Sequence, residues 1–159
     1  DDQNNIFLCD LGISTVSGME ETFERGTIAY MAPEMFGGSQ RSESNERVYT
    51  ESVDVYSFGI LLWELMPRSR YISPNSPATQ QDLSTFMKGV QGGARPSHED
   101  LLCEQCEICA DWKRLIGECW VGRPESRPKL TRVMGELKRL LSQLKKNERE
   151  HDSKGNGLA

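Results

Sequence analysis

The apolar segment at residues 53–66 constrains the fold more than any other feature of the chain. Its apolar side chains fall on almost every face of a helix: Val53, Val55, Tyr56, Phe58, Ile60, Leu61, Leu62, Trp63 and Leu65. A helix that is apolar all round has to be surrounded by protein. Thr50 or Ser52 is placed to cap its start, and Pro67 is placed to end it. We therefore expect a central helix enclosed by its neighbours.

Three further segments have the spacing of helices that could serve as those neighbours. A helix is expected around residues 83–90, and apolar residues recur at helical spacing over residues 112–120 and, most regularly, over residues 130–144. A charged run then leads into a glycine-containing end, which predicts a flexible tail at residues 146–159. Three helices are few for a core that has to enclose a fourth, so part of the burial partner is expected to be absent from this chain.

The first part of the chain reads as a strand followed by loops. Residues 6–9 are a short apolar run of the strand type, and a turn signal follows at residues 10–12. Residues 13–24 are polar, and residues 39–47 contain no apolar side chain and are interpreted as a solvated insertion. The predicted fold class is mainly α, with a short strand and a loop at the start.

Charge and hydropathy exclude two classes of protein. The 159 residues include 19 Lys and Arg against 24 Asp and Glu, which gives a net charge of −5. This acidic balance argues against a dedicated nucleic-acid binder. The longest purely apolar run, residues 60–63, is far too short to cross a bilayer, and no signal peptide is visible. We expect no nucleic-acid partner and no membrane segment in this chain.

The five cysteines are an odd number, and two of them, Cys9 and Cys119, lie in apolar segments. This usage is typical of reduced thiols inside the cell. The other three follow one another at every third position: Cys103, Cys106 and Cys109. Their spacing resembles the beginning of a metal site, but Lys113 stands where a ferredoxin-like run would place a fourth ligand. We therefore favour cysteines on a surface loop and the helix after it.

Four blocks of sequence occur in an order that is known from one family. They are Asp-Leu-Gly at residues 10–12, a segment ending in Ala-Pro-Glu at residues 26–34, Asp-Val-Tyr-Ser-Phe-Gly at residues 54–59, and Cys-Trp followed by two Arg-Pro pairs at residues 119–128. Together they resemble the C-terminal lobe of a eukaryotic protein kinase of the tyrosine-kinase-like group. The resemblance implies the helical lobe of an α+β kinase fold, with a partial kinase domain at residues 1–145.

The resemblance also implies roles for the first two blocks. Asp10 would hold Mg²⁺, which prefers oxygen ligands, and Gly12 would let the backbone bend. Taken alone, Asp10 would be read as a plain turn aspartate. Gly26 and Thr27 would position the substrate peptide, and Thr27 is similar to the serine/threonine-type loop. Residues 54–65, by contrast, look more like the tyrosine-kinase branch. This mixture of serine/threonine-type and tyrosine-type features resembles the tyrosine-kinase-like group, whose members mostly phosphorylate serine and threonine.

The loop between these blocks corresponds to an activation segment. Phosphate on one of its hydroxyls would add about −1.5 to −2 charges and order the loop against a basic partner, which implies an upstream kinase. For any single position, a loop that is simply rich in hydroxyls is an equally good interpretation. The candidate positions are Ser14, Thr15, Ser17 and Thr22.

The last two blocks imply structural roles. Glu34 and Arg127 would form a buried ion pair that serves folding rather than catalysis. Asp54 would hydrogen-bond the backbone of the catalytic loop, or would simply favour the helix dipole as a first-turn aspartate. Leu61 and Leu65 would be core anchors beneath the residues that face the nucleotide.

Several elements of a complete kinase are missing from the 159 residues. There is no G-x-G-x-x-G loop and no Val-Ala-Ile-Lys segment, and neither His98 nor His151 begins a His-Arg-Asp element. The chain alone is therefore expected to be inactive, since ATP and Mg²⁺ both require the missing N-terminal part. The complete protein is expected to be cytoplasmic and to phosphorylate proteins, with a membrane-anchored parent left open. The alternative is a pseudokinase or scaffold lobe that binds protein partners, and a metal module at the cysteines would explain none of the four blocks.

Overall fold

The computed structural model describes residues 28–36, 50–66, 80–97 and 106–155 of the chain. This part contains no strand. It contains four α-helices: α1 (Ser52–Glu64), α2 (Gln80–Gln91), α3 (Glu107–Cys119) and α4 (Leu130–Gly155). Short 3-10 turns occur at Ile28–Tyr30, Pro33–Phe36 and Pro124–Ser126. The mainly helical fold class is confirmed, while the strand expected at residues 6–9 lies outside the described residues.

Helix α1 lies at the centre of the core and packs most extensively against α3. Its buried side chains include Tyr56, Ile60 and Trp63. The two helices approach closely because Gly59 has no side chain: a Cβ atom at this position would lie 2.8 Å from Cβ of Cys119. The spacing of apolar residues in the sequence does not reveal this contact.

The predicted cap of α1 is wrong. Neither Thr50 nor Ser52 caps the helix, because the N-cap residue is Glu51 and it makes no side-chain capping bond. The described segments do not enclose α1 on every side, since Leu61 is 42% exposed and Leu65 is 66% exposed. These side chains lie on the face of α1 turned away from α3, and no described segment covers them. They are therefore not core anchors within the described part of this chain.

The other helices occur where the spacing predicts them, with longer bounds. Helix α2 contacts the Pro33–Phe36 turn, where the rings of Phe36 and Phe86 meet edge to face at 6.3 Å. Helix α4 packs on α3. It buries Val133 and Leu140 but leaves four other apolar side chains exposed: Leu130, Met134, Leu141 and Leu144.

Helix α4 extends past residue 145 to Gly155, so the boundary proposed for the flexible tail does not coincide with a helix end. Helical hydrogen bonding does not by itself exclude flexibility, so the charged flexible tail at residues 146–159 stays a prediction. None of the described helices is both long enough and apolar enough to cross a membrane.

Candidate functional site

Glu34 and Arg127 form a bidentate ion pair between the Pro33–Phe36 turn and the segment before α4. Arg127 donates from Nη1 to Oε1 of Glu34 at 2.7 Å and from Nη2 to Oε2 at 2.8 Å. The side chain of Arg127 is fully buried, and that of Glu34 is 20% exposed. Paired, parallel hydrogen bonds of this kind are the strongest geometry available to a guanidinium and a carboxylate.

Arg127 also binds three backbone carbonyl groups. It donates from Nη1 to Ser52 at 2.9 Å, from Nε to Val121 at 2.9 Å, and from Nη2 to Gly122 at 3.3 Å. A buried guanidinium needs hydrogen-bond acceptors for its N–H groups, and here the acceptors come from three separate segments of the chain. One side chain therefore fixes the Pro33–Phe36 turn, the start of α1 and the link between α3 and α4 to one another.

Two arginines contact the ring of Tyr56 in α1. The Cζ atoms of Arg95 and Arg127 lie 5.0 Å and 5.1 Å from the ring centroid, within cation–π range. Burial raises the pKa of Tyr56, and the two guanidinium groups partly oppose that effect. Burial also lowers the pKa of Arg95. Arg95 donates to the carbonyl of Trp120 at 2.8 Å and to that of Val90 at 2.9 Å, so it joins the ends of α2 and α3.

The segment at residues 28–36 is held on α1 by two further contacts. The Tyr30 hydroxyl donates to the Glu64 carboxylate, and the Ser57 hydroxyl donates to the Tyr30 carbonyl at 2.8 Å. The hydrogen bond to Glu64 is the main reason why the pKa of Tyr30 rises to about 12. Together with Arg127, these bonds attach both ends of the segment to the helical core.

The exposed face of α1 combines one carboxylate with apolar side chains. Asp54 lies in the first turn and is exposed. Leu61 and Leu65 follow on the same helix face and are exposed, whereas Phe58 is partly buried and packs against the core. The face lies on the same helix that holds residues 28–36.

Comparison with known proteins identifies the family. The family described as protein tyrosine and serine/threonine kinase matches residues 1–137. The chain belongs to this protein kinase family.

Its relatives include kinases from animals and an amoeba. The chain is 32% identical over 155 residues to proteins named dual serine/threonine and tyrosine protein kinase from Bos taurus and Homo sapiens. It is 29% identical over 132 residues to dual specificity protein kinase zak2 of Dictyostelium discoideum. The alignments cover 98% and 82% of this chain, but only 15% and 18% of the relatives. The chain therefore spans about one sixth of the length of these kinases.

Most of the kinase residues predicted from the sequence lie outside the described residues. Glu34, Asp54 and Arg127 are described, and the structure brings Glu34 and Arg127 together while Asp54 stands apart from them on the open face of α1. In the described part of the chain, no cluster of three or more His, Cys, Asp or Glu side chains is arranged to hold a metal ion. The predicted residues outside the described part are Asp10, Gly12, Gly26, Thr27, Ser14, Thr15, Ser17 and Thr22.

Sequence reasoning missed the parts that Tyr56 and Arg95 play in this kinase lobe. Tyr56 lies within an apolar run, so its ring was assigned to the core without a polar partner. Arg95 follows the turn at Gly92 and Gly93, where Gly93 has a positive φ of 97°. The two glycines predict the turn, but nothing in the spacing of the sequence indicates that the arginine after the turn contacts the ring of Tyr56. That contact depends on how α2 and α3 pack.

Proposed function

We propose that this chain forms the C-terminal lobe of an active protein kinase that transfers the γ-phosphate of ATP to protein hydroxyls. One observation carries the proposal. Residues 28–36 are fixed to α1 by the Arg127, Ser57 and Tyr30 contacts, next to a helix face that no described residue covers. A peptide substrate needs a rigid platform, because misplacement of the acceptor hydroxyl by about 1 Å costs roughly 10²-fold in rate.

The open face of α1 is the proposed seat of the catalytic loop. Asp54 would accept hydrogen bonds from the backbone of that loop, and Leu61 and Leu65 would pack beneath the residues that face the nucleotide. The exposed fractions of the two leucines, 42% and 66%, support this assignment, because apolar residues in an otherwise well-buried helix usually have a partner. The 159 residues contain no His-Arg-Asp element that could fill the position.

Asp10 is the proposed ligand of Mg²⁺. A carboxylate suits this ion because Mg²⁺ prefers oxygen donors, and Mg²⁺ supplies the charge that neutralises the β- and γ-phosphates during transfer. ATP binding also requires the Gly-rich loop and the lysine that pairs with the phosphates. We assign both to sequence beyond these 159 residues.

Serine and threonine are the proposed acceptors. Thr27 directly follows Gly26, as in the serine/threonine-type substrate loop that this segment resembles. The relatives are named dual-specificity kinases, so tyrosine is the competing acceptor. We also propose that an upstream kinase phosphorylates the hydroxyls of residues 13–24, and that the complete protein acts in the cytoplasm.

The test measures phosphoryl transfer by the complete protein that carries this chain. It uses γ-labelled ATP and a mixed peptide library, followed by analysis of which amino acids are phosphorylated. We expect label on serine and threonine, and we expect Asp10→Asn to reduce transfer by about 100-fold or more because it removes charge at the transferred phosphate. Asp2→Asn, a matched change outside the four blocks, should leave transfer unchanged.

Three results would contradict parts of this proposal. Label on tyrosine alone would overturn the acceptor assignment. Full activity in Asp10→Asn would overturn the Mg²⁺ assignment. No transfer by the complete protein, despite a normal melting temperature, would indicate a pseudokinase or a scaffold.

A further inference from the structure

Two cysteines meet at the beginning of α3, on the side of the lobe that none of the kinase roles above uses. Cys106 is the N-cap residue of α3, with the extended backbone angles φ −95° and ψ 114°, and Cys109 lies in the first turn. The side chain of Cys109 hydrogen-bonds that of Cys106. Both are free thiols and both are partly exposed. The pair is therefore in contact and open to small reagents.

Cys119, at the other end of the same helix, has a different environment. Its side chain is fully buried against α1, and burial raises the pKa of its thiol to about 11. By contrast, the hydrogen bond from the Cys109 side chain lowers the pKa of Cys106, while burial and the charge of Glu107 oppose this effect. A thiolate is the reactive form of cysteine, and helix N-termini favour it. Helix α3 thus carries one reactive and one inert thiol.

We propose that Cys106 and Cys109 form a redox-active dithiol, which a peroxide oxidises to an intramolecular disulfide and a small dithiol reduces again. The geometry supports this, because Cys106 is the N-cap residue of α3, Cys109 lies three residues further on in the first turn, and both side chains are partly exposed. A disulfide requires close, facing Cβ positions, which residues one turn apart at a helix start can provide. The Cys-x2-Cys spacing at a helix start is also the arrangement in which reactive dithiols occur.

The oxidation balances in two steps. The Cys106 thiolate attacks one peroxide oxygen, the O–O bond breaks, and the leaving hydroxide takes up a proton to become water, which leaves a sulfenic acid on Cys106. The sulfur of Cys109 then attacks Cys106, the S–S bond forms, and the sulfenic oxygen leaves as water with the proton of Cys109. Two thiols lose two electrons, and the peroxide is reduced to two waters.

The position of the pair predicts that oxidation leaves the helical core intact. Cys106 and Cys109 lie at the N-terminal end of α3, whereas the close contact of Gly59 with Cys119 lies at its C-terminal end. The new bond would close only the first turn of the helix. We therefore expect the melting temperature of the oxidised protein to be no lower than that of the reduced protein.

The test maps the disulfide in the full chain. The protein is treated with one equivalent of hydrogen peroxide, free thiols are alkylated, and the chain is cleaved after glutamate. Glu104 and Glu107 stand between the three neighbouring cysteines, so cleavage puts Cys103, Cys106 and Cys109 on separate peptides. We expect one cross-linked pair that joins Cys106 to Cys109 and disappears with dithiothreitol. In the reduced protein at pH 7, Cys106 should be alkylated at least about 10-fold faster than Cys119.

Variants separate this site from its alternatives. Cys109→Ser should stop at the sulfenic acid of Cys106, which a dimedone-type reagent traps, while Cys103→Ser and Cys119→Ser should still form the disulfide. A main cross-link from Cys103 to Cys106, no cross-link at all, or equal alkylation of Cys106 and Cys119 would overturn the proposal. So would tight retention of one zinc ion that protects Cys103, Cys106 and Cys109 together.

Discussion

Replacing Glu34 by Gln keeps the shape of the side chain but removes the charge that faces Arg127. Loss of one partner from a buried ion pair costs about 3–5 kcal/mol, because the other charge stays buried without compensation. Glu34 is 20% exposed, and Arg127 keeps its three carbonyl partners, so we place Glu34→Gln at the lower end, about 3 kcal/mol. Arg127→Met should cost about 5 kcal/mol, since it also strands the carbonyls of Ser52, Val121 and Gly122.

The double variant separates the free energy of the Glu34–Arg127 ion pair from that of the other hydrogen bonds of Arg127. Once Arg127 is replaced by Met, the charge of Glu34 has no buried partner left to stabilise it. The combination with Glu34→Gln should therefore cost about 5 kcal/mol, well below the sum of the two single changes. The carbonyl groups remain without donors in the double variant, so stability should not return to that of the unchanged protein.

The assay is urea unfolding followed by the fluorescence of Trp63, Trp112 and Trp120. With a urea slope of about 2 kcal/mol per M, a loss of 3 kcal/mol moves the midpoint by about 1.5 M. Arg132→Met is the matched control, because Arg132 also pairs with a carboxylate at 2.7 Å, that of Glu118, but is 57% exposed. It should cost at most about 1 kcal/mol. Equal losses for Arg127→Met and Arg132→Met would refute the reasoning from burial.

Three further predictions concern α1 and its contacts. Gly59→Ala should cost about 1–3 kcal/mol in urea unfolding, because its Cβ would lie 2.8 Å from Cβ of Cys119. The control Gly135→Ala, with no atom within 4 Å of the new Cβ, should stabilise α4 by up to about 1 kcal/mol. If Gly59→Ala left the stability unchanged, that would contradict the close packing of α1 on α3. Tyr30 should lower the stability between about pH 10 and 12, where the unfolded chain has lost the Tyr30 proton that the folded chain retains. After allowance for the partial exposure of Tyr30, this share is about 1 kcal/mol. Tyr30→Phe should remove this share, while the loss that comes from the raised pKa values of Tyr56 and Cys119 should remain. Leu65→Ser should change the stability of this chain by less than about 0.5 kcal/mol, because Leu65 is exposed. The control Leu62→Ala, at a buried position, should cost about 2–5 kcal/mol. A large loss of stability for Leu65→Ser would show that another part of this chain covers the Leu65 face of α1.

The local spacing of apolar residues predicted the helices well. The apolar spacing of residues 130–144 fixed the start of α4, and the buried positions Val133 and Leu140 lie on the stripe that it defines. The end of α4 was harder to predict, because charged residues beyond 145 are compatible both with a solvated helix and with a tail. The missing cap of α1 was also hard to predict, because the side-chain hydroxyls of Thr50 and Ser52 hydrogen-bond each other at 2.7 Å instead of capping the helix.

Contacts between distant segments could be predicted only where the family resemblance supplied them. The meeting of Glu34 with Arg127 follows from matched motifs, and no periodicity joins residues so far apart in the chain. The resemblance gave no role to Tyr56 or Arg95, so their contact was missed. The exposure of Leu61 and Leu65 is a different case, because apolar character indicates that a face needs cover but does not say whether this chain provides it.

The coding sequence that precedes Asp1 offers the most direct test of the claim that this chain is one lobe of a catalytic kinase domain. We predict an in-frame Gly-rich loop, a strand that carries the phosphate-pairing lysine, and a His-Arg-Asp element followed by Asn shortly before Asp10. An upstream sequence without the lysine and the His-Arg-Asp element would contradict the account. The exposed face of α1 would then be a surface on which a scaffold protein binds its partners.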